Sequence, residues 1–443
     1  MPKDSPIDPY LPLHGNRGYR VLHYDLDLEY KVASNRLAGR AEITAEATDP
    51  AERITLDFGD ALAVSKVVVN GSRPAKYAHR AGKLAITVRQ PISPGATFSV
   101  VVQYAGAPRP VRGPWGDIGW EELDNGALVA GQPNGAPSWF PCDDHPGSKA
   151  RYRISVTTDS PYHVVANGAL VRKQVKASRT TWVYEQAEPM ASYLATVQIG
   201  DYELRSSGRG LIPMRAVLPA ALFGEFEHDF ARQPDMMAAF IRLFGPYPFA
   251  DYTVVVTADD LEIPLEAQGI SIFGANHCDG MRGSERLIAH ELAHQWFGNS
   301  LTIGQWRDIW LHEGFACYAE WLWSEESGGA SADELARAAW HTAARRRQNL
   351  CIGDPGPKDM FDDRVYQRGA LTLHALRTVL GDAVFFALLR EWTAVHRHST
   401  VTTDRFIELA GRYGAGAEDG FWRRWLYEPA LPDLPGSGRT RSG

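Results

Sequence analysis

The sequence predicts a multidomain protein in which an N-terminal antiparallel β-sandwich or saddle domain precedes an α+β domain. Three observations carry this. The chain has 443 residues, long for one hydrophobic core, so two or three domains are the starting expectation. From His23 to about Ile199 polar and apolar residues alternate with period two, the pattern of strands with one buried face. Near Gly200 the pattern changes, and from Phe223 apolar residues recur at helical spacing. The expected boundaries are 1–200 for the β-domain, 201–433 for the α+β domain and 434–443 for a low-complexity, disordered tail.

Strands come first. Tyr24-Asp-Leu-Asp-Leu-Glu-Tyr, Ala41-Glu-Ile-Thr-Ala-Glu-Ala and Ile54-Thr-Leu-Asp-Phe all alternate. Val67-Val-Val-Asn-Gly and Val164-Val-Ala-Asn-Gly each end in Asn-Gly, the strongest short hairpin signal. Between them Gly131 to Asp144 breaks the alternation with Gln132, Trp139 and Phe140; a loop held on a rigid sheet is a common place for function. Asp143 and Asp144 read as turn residues whose side chains bond the backbone.

The second half opens with a helix over Phe223–Leu243, stopped by Phe-Gly-Pro-Tyr-Pro-Phe. Tyr252-Thr-Val-Val-Val-Thr and Ser271-Ile-Phe-Gly are buried-strand candidates, and between them Leu265-Glu266-Ala267-Gln268-Gly269 reads as an edge strand bearing a carboxylate. Ala332–Leu350 reads as a helix with Arg345, Arg346 and Arg347 on a solvated face. A further helix runs from about Val365 to Leu380 and ends at Gly381. Two or three more helices follow.

Composition narrows the function. With 44% hydrophobic and 22% charged residues the chain is soluble and globular in type. A net charge of −7 provides no basic field, so nucleic acid is excluded as an expected partner. The N-terminal stretch has no apolar run of signal-peptide type, and nothing elsewhere approaches the eighteen or so apolar residues of a membrane helix. No membrane partner and a cytoplasmic location are therefore expected. Cys142, Cys278, Cys317 and Cys351 are scattered without metal or disulfide spacing and read as reduced, structural thiols.

The chemistry concentrates between Leu287 and Phe315. His290 and His294 are four apart, so on a helix both imidazoles point from one face at one ion. Glu291 projects about 100° round the helix from His290, beside such an ion, where it can act as a base. Glu313 lies on a second predicted helix, in Trp-Leu-His-Glu-Gly-Phe-Ala. Two histidines and a glutamate with an open fourth position form a recurrent catalytic zinc set. A histidine on an apolar helix is otherwise an ordinary core residue, and it is Glu313 that tips the balance. Glu320, two turns beyond Glu313, and Asp308 are candidates to orient the ligands; a surface salt bridge and a helix N-cap are their plainer roles.

His290, Glu291, His294 and Glu313, with Trp310-Leu311 before and Gly314-Phe315-Ala316 after, resemble the gluzincin aminopeptidases, the family of aminopeptidase N and leukotriene epoxide hydrolase. The likeness extends to about residue 433 and covers only the first two domains of longer relatives, leaving no length for their helical C-terminal domain. It implies a thermolysin-like zinc peptidase fold for the α+β domain and one Zn2+ per chain. It also implies a catalytic tyrosine at Tyr366, which opens Tyr-Gln-Arg-Gly-Ala where the family has Tyr-x-Lys-Gly-Ala. Glu266 takes the place of the glutamate that holds the substrate α-ammonium in the family's Gly-Ala-Met-Glu-Asn strand, and Gln132 that of a loop residue offered to the same amine. Three departures stand out: Ala267 replaces the Asn after that glutamate, His312 the Asn before the ligand glutamate, and Arg368 the Lys.

The implied activity is hydrolysis of the first bond of peptides with a free N-terminus; oligomeric state is not legible. A zinc endopeptidase would use the same centre without an amine anchor, so Glu266 discriminates. The epoxide hydrolase reading is weaker, since the Asp and Tyr it uses, eight and five residues before the catalytic tyrosine, are Lys358 and Phe361 here. A catalytically inactive peptide-binding scaffold need not keep the ligands, Glu291 and Tyr366 together.

Overall fold

The computed structural model describes residues 7–16, 18–207, 210, 212–415 and 420–435; the expected tail from 436 on lies outside them. The chain packs as two compact units that interleave in sequence. The first holds the chain up to Ser207 together with Met214–Gly224 and Asp251–His277, and the second holds Glu225–Ala250 and everything from Cys278.

The first unit is built on a seven-stranded sheet, in the order Ala169–Lys176, Arg179–Ala191, Lys149–Asp159, Tyr19–Lys31, Arg36–Ala47, Thr97–Gly106, Leu62–Val69. The period-two reading holds residue by residue: Tyr24, Leu26, Leu28 and Tyr30 are buried. Asp25 and Glu29 between them meet Arg153 and Arg179 at 2.7 Å each. Within this seven-stranded sheet one pair departs from the antiparallel expectation. Tyr19–Lys31 runs parallel to Lys149–Asp159, with His23 opposite Arg151. All of Val32–Ser148 separates the two strands, which is the long connection a parallel pair requires.

Neither Asn-Gly signal closes a hairpin within one sheet. Asn70 and Gly71 have φ of 49° and 75°, and Val69 and Ser72 exchange backbone bonds across them. The chain then leaves for a separate three-stranded sheet. Asn167-Gly168 likewise joins His163–Ala166, in a five-stranded sheet, to Ala169–Lys176 in the seven-stranded one. The dipeptide supplies the left-handed turn; which strands pair is decided by burial of their faces.

Asp144 is not a turn cap either. Its buried carboxylate bonds His14 Nδ1 at 2.9 Å and Ser192 Oγ at 2.8 Å. Beside it, buried Asp57 accepts the backbone N–H groups of Gly15 and Asp144 and is contacted by Lys83. A third sheet, Glu203–Ser207, Met214–Leu218, Tyr252–Val256, Ile270–Phe273 and Leu265–Ala267, also belongs to this unit. Leu265–Ala267 is its edge strand, antiparallel to Ile270–Phe273.

The second unit is helical. The single helix expected over Phe223–Leu243 is two, Phe223–Asp229 and Gln233–Phe244. Pro234 is the reason, because it has no N–H to give to the carbonyl one turn back, so a continuous helix is interrupted ahead of it and the proline sits instead in a new first turn. The helix expected over Ala332–Leu350 stops at Ala344, and Gln348 Nε2 caps the carbonyls of Ala343 and Arg346 at 2.8 and 3.0 Å. Helices Trp310–Glu326 and Asp363–Leu380 meet through Tyr318 and His374, and fully buried Trp296 packs against Phe240 and Phe244 of helix Gln233–Phe244. Among the described residues no helix is long and apolar enough to cross a membrane.

Candidate active site

In helix Glu285–Ala293 helical geometry runs on through His294, whose N–H bonds the carbonyl of His290 at 3.2 Å. The two imidazoles therefore share one face, 4.8 Å apart between centroids. Glu313, in the first turn of helix Trp310–Glu326, reaches between them. Its Oε2 lies 3.5 Å from Nε2 of His290 and 3.5 Å from Nε2 of His294, and all three side chains are buried.

These distances test whether a metal fits. Donors about 2.0–2.2 Å from a tetrahedral zinc ion stand roughly 3.3–3.6 Å from one another. The two nitrogen-to-oxygen distances fall in that range, too long for good hydrogen bonds and right for an ion. The other ring nitrogens are already committed: His290 Nδ1 meets Glu320 Oε1 at 2.7 Å and His294 Nδ1 meets the carbonyl of Phe297 at 3.0 Å. Acceptors on both Nδ1 atoms keep the proton there and turn both Nε2 lone pairs inward. Residues and geometry fit zinc.

The electrostatics agree. Burial works to raise the Glu313 carboxyl, but His294 and His290 more than offset it and hold the group far below the usual carboxylate range. Burial works to lower His290, and the neighbouring carboxylates of Glu313 and Glu320 override it, so its pKa is well above the ordinary value. Without an ion the anionic Glu313 draws a proton onto the imidazoles; a dication would take the place of that proton and be held by the same carboxylate.

Glu320 combines both of its expected roles, bonding His290 and pairing through Oε2 with Arg286 at 2.8 Å. Asp308 does neither of its own: its carboxylate takes the hydroxyl of Thr403 at 2.6 Å and so anchors helix Thr403–Arg412. His312 is fully buried, and its Nε2 accepts the N–H of Ile303 at 3.0 Å. Its ring ties the Glu313 helix to strand Thr302–Ile303, giving the substitution for Asn a structural use. Tyr366, in helix Asp363–Leu380, stacks on His290 with centroids 6.2 Å apart and an 18° interplanar angle. Glu291 is buried on the same helix as His290.

Glu266 and Gln132 belong to the first compact unit, where they meet: Gln132 Nε2 donates to Glu266 Oε1 at 2.7 Å. Glu266 is half-buried on the edge strand, opposite Ser271. The turn after it is held by a residue the sequence reading missed. Asn167 Nδ2 donates to the carbonyls of Gln268 and Leu194, both at 3.0 Å, while its Oδ1 accepts the N–H of Thr196 at 2.6 Å. The Asn-Gly pair carried a signal, but it pointed to a hairpin.

Comparison with known proteins divides the chain in sequence order, with Asp251–His277 falling in the later of the two matches. Residues 236–425 match the peptidase family M1 domain and residues 20–194 the peptidase M1 N-terminal domain. A zinc metallopeptidase of the M1 family from Deinococcus radiodurans is 30% identical, superposes with a TM-score of 0.86, and is matched over 97% of this chain and 98% of its own. A variant of it bound to the substrate Tyr-Ser-Ala superposes with a TM-score of 0.88. Among curated relatives, leucine aminopeptidase 2-1 from Meyerozyma guilliermondii is 29% identical over 68% of this chain, and aminopeptidase B from Mus musculus 24% over 94%. The chain spans 50% of the length of the former and 71% of the latter.

Proposed function

The chain belongs to peptidase family M1, and on that premise we propose that it is a zinc-dependent aminopeptidase that removes the first residue of peptides with a free N-terminus. The observation that carries the proposal is the convergence of His290 Nε2, His294 Nε2 and Glu313 Oε2 at a spacing suited to zinc. One ion per chain, held by these three, would act as a Lewis acid that polarises the scissile carbonyl and brings the pKa of water from about 15.7 towards about 7.

The chain's own residues do the rest. Glu291, next to the first ligand, takes the proton of the attacking water and passes it to the leaving amine. Tyr366 donates a hydrogen bond to the oxyanion that develops on the carbonyl, an interaction realised chiefly in the transition state. Glu266 pairs with the substrate α-ammonium, and the amide of Gln132, already on its Oε1, fixes the direction in which that carboxylate faces. Holding the ammonium selects the first peptide bond. The aminopeptidase relatives and the neighbour that binds Tyr-Ser-Ala support this substrate class. The four cysteines are free, which suits the reducing cytoplasm we assign to it.

The test is a panel of aminoacyl-aminomethylcoumarins beside their N-acetylated forms, with and without a zinc chelator, on wild type and Glu266→Gln. Free-amine substrates should be cleaved, acetylated ones poorly, and chelation should stop both. In Glu266→Gln, kcat/KM should fall for free amines and change little for acetylated substrates, because a misplaced amine also misplaces the scissile bond. Equal cleavage of both kinds by wild type would make the enzyme an endopeptidase.

A further inference from the structure

Tyr366 is the fourth residue of helix Asp363–Leu380, in the opening turn, where N–H groups lack partners inside the helix and the backbone is held mainly by what surrounds it. Three arginines hold this turn. Arg364 grips Asp362 at 2.8 and 2.9 Å and donates to Asn349 Oδ1 at 2.7 Å. Arg346 pairs with Asp363 at 2.6 Å.

The third is of a different kind. Arg368, two residues after Tyr366 and so about 200° round the helix from it, is 5% exposed. Its guanidinium donates to the carbonyls of Arg424, Trp425, Glu428, Pro429 and Ala430 at 2.6–3.1 Å. All five acceptors are backbone carbonyls. Burial presses the guanidinium down to about 10, so it remains charged at neutral pH. The segment it gathers takes a π-helical turn over Arg423–Tyr427, a wide turn that releases carbonyls from regular helical bonding. A charge buried with neutral partners is costly unless every donor is matched. Here Nε meets Trp425, Nη1 meets Pro429 and, at 3.5 Å, Leu350, and Nη2 is shared among Arg424, Glu428 and Ala430, so each guanidinium nitrogen is engaged; a lysine, with three N–H groups on one atom, cannot span them.

We propose that Arg368 is a positioning residue, docking the 424–430 segment against the Tyr366 helix so that this segment sets where the tyrosine hydroxyl stands during the reaction. The inference rests on the reading of Tyr366 as oxyanion donor. The helix carries the effect directly, because Tyr366 and Arg368 lie within one turn and the first turn has few bonds of its own.

The experiment is a double-mutant cycle of Arg368→Met and Tyr366→Phe, with Arg368→Lys as the milder variant. Arg368→Met should lower kcat about tenfold with KM changed less than about twofold, as expected when stabilisation is removed from the transition state alone. In the Tyr366→Phe background the same change should cost less than about twofold, since there is no hydroxyl left to misplace. Arg368→Lys should fall between. Bound zinc, by elemental analysis, should be unchanged, while hydrogen exchange of amides 424–430 and 363–368 should speed up. Equal losses in the two backgrounds, loss of zinc, or an unchanged kcat would overturn the positioning role. If Tyr366→Phe by itself leaves kcat unaltered, it is the oxyanion reading that falls, and the exchange data still report whether Arg368 docks the segment. Should Arg368→Met fail to fold, the Lys variant carries the same comparison.

Discussion

Gly314 and Gly369 touch backbone to backbone: a Cβ on Gly314 would stand 2.8 Å from Gly369 Cα, and one on Gly369 would stand 2.6 Å from Gly314 Cα. The helices they belong to carry Glu313 and Tyr366, each within three residues of the crossing. Side chains at this crossing would wedge those two groups apart. Gly369→Ala is expected to destabilise the fold by about 1–3 kcal/mol, the usual result of overpacking, and to lower kcat as well. Thermal melting and steady-state kinetics check it; a variant that melts and turns over like wild type would show that the crossing has slack.

Glu320→Ala should weaken zinc binding about 10–100-fold, because it removes the acceptor that holds the proton on His290 Nδ1. Arg286, paired with the other oxygen of Glu320, would then face the site without its carboxylate. Titration with a competing chelator measures the change. Unaltered affinity would mean that packing alone orients His290.

Glu291→Gln should abolish turnover and keep the metal, whereas Glu313→Ala should lose both, since one residue is assigned as base and the other as ligand. Removing the metal from wild type should likewise abolish activity, and zinc should restore it. More than a few per cent residual activity in Glu291→Gln would send the search for the base elsewhere.

The His14 cluster gives a pH signature away from the reaction. Burial tends to lower this imidazole, but the bond to Asp144 and the charges of Asp144 and Asp57 prevail over burial and over nearby Lys83, and its pKa is raised above 6.5. Folding thus favours the protonated form, and its stabilisation is fully present below pH 6.5 and lost as pH rises through the higher folded value. His14→Gln should melt below wild type near pH 6, with the gap closing towards pH 9. A gap that is constant or widens with pH would contradict the assignment.

How much was readable without coordinates follows from where each signal resides. The alternation of Tyr24 to Tyr30 and the four-residue step from His290 to His294 are local, because side-chain direction in a strand or helix is set by backbone period alone. They are enough to place a β-domain, a helix with two histidines on one face and, in Glu313, a carboxylate that meets both. What needed the folded chain is the meeting of distant segments. The parallel pairing of Tyr19–Lys31 with Lys149–Asp159, the grip of Asn167 on the turn after Glu266 and the ring of carbonyls round Arg368 all join residues whose separation carries no periodic mark. An Asn-Gly pair announces a left-handed turn in any sheet, and an arginine reads as solvated until its surroundings are known. The local code sets the direction of each side chain; only packing decides what it meets.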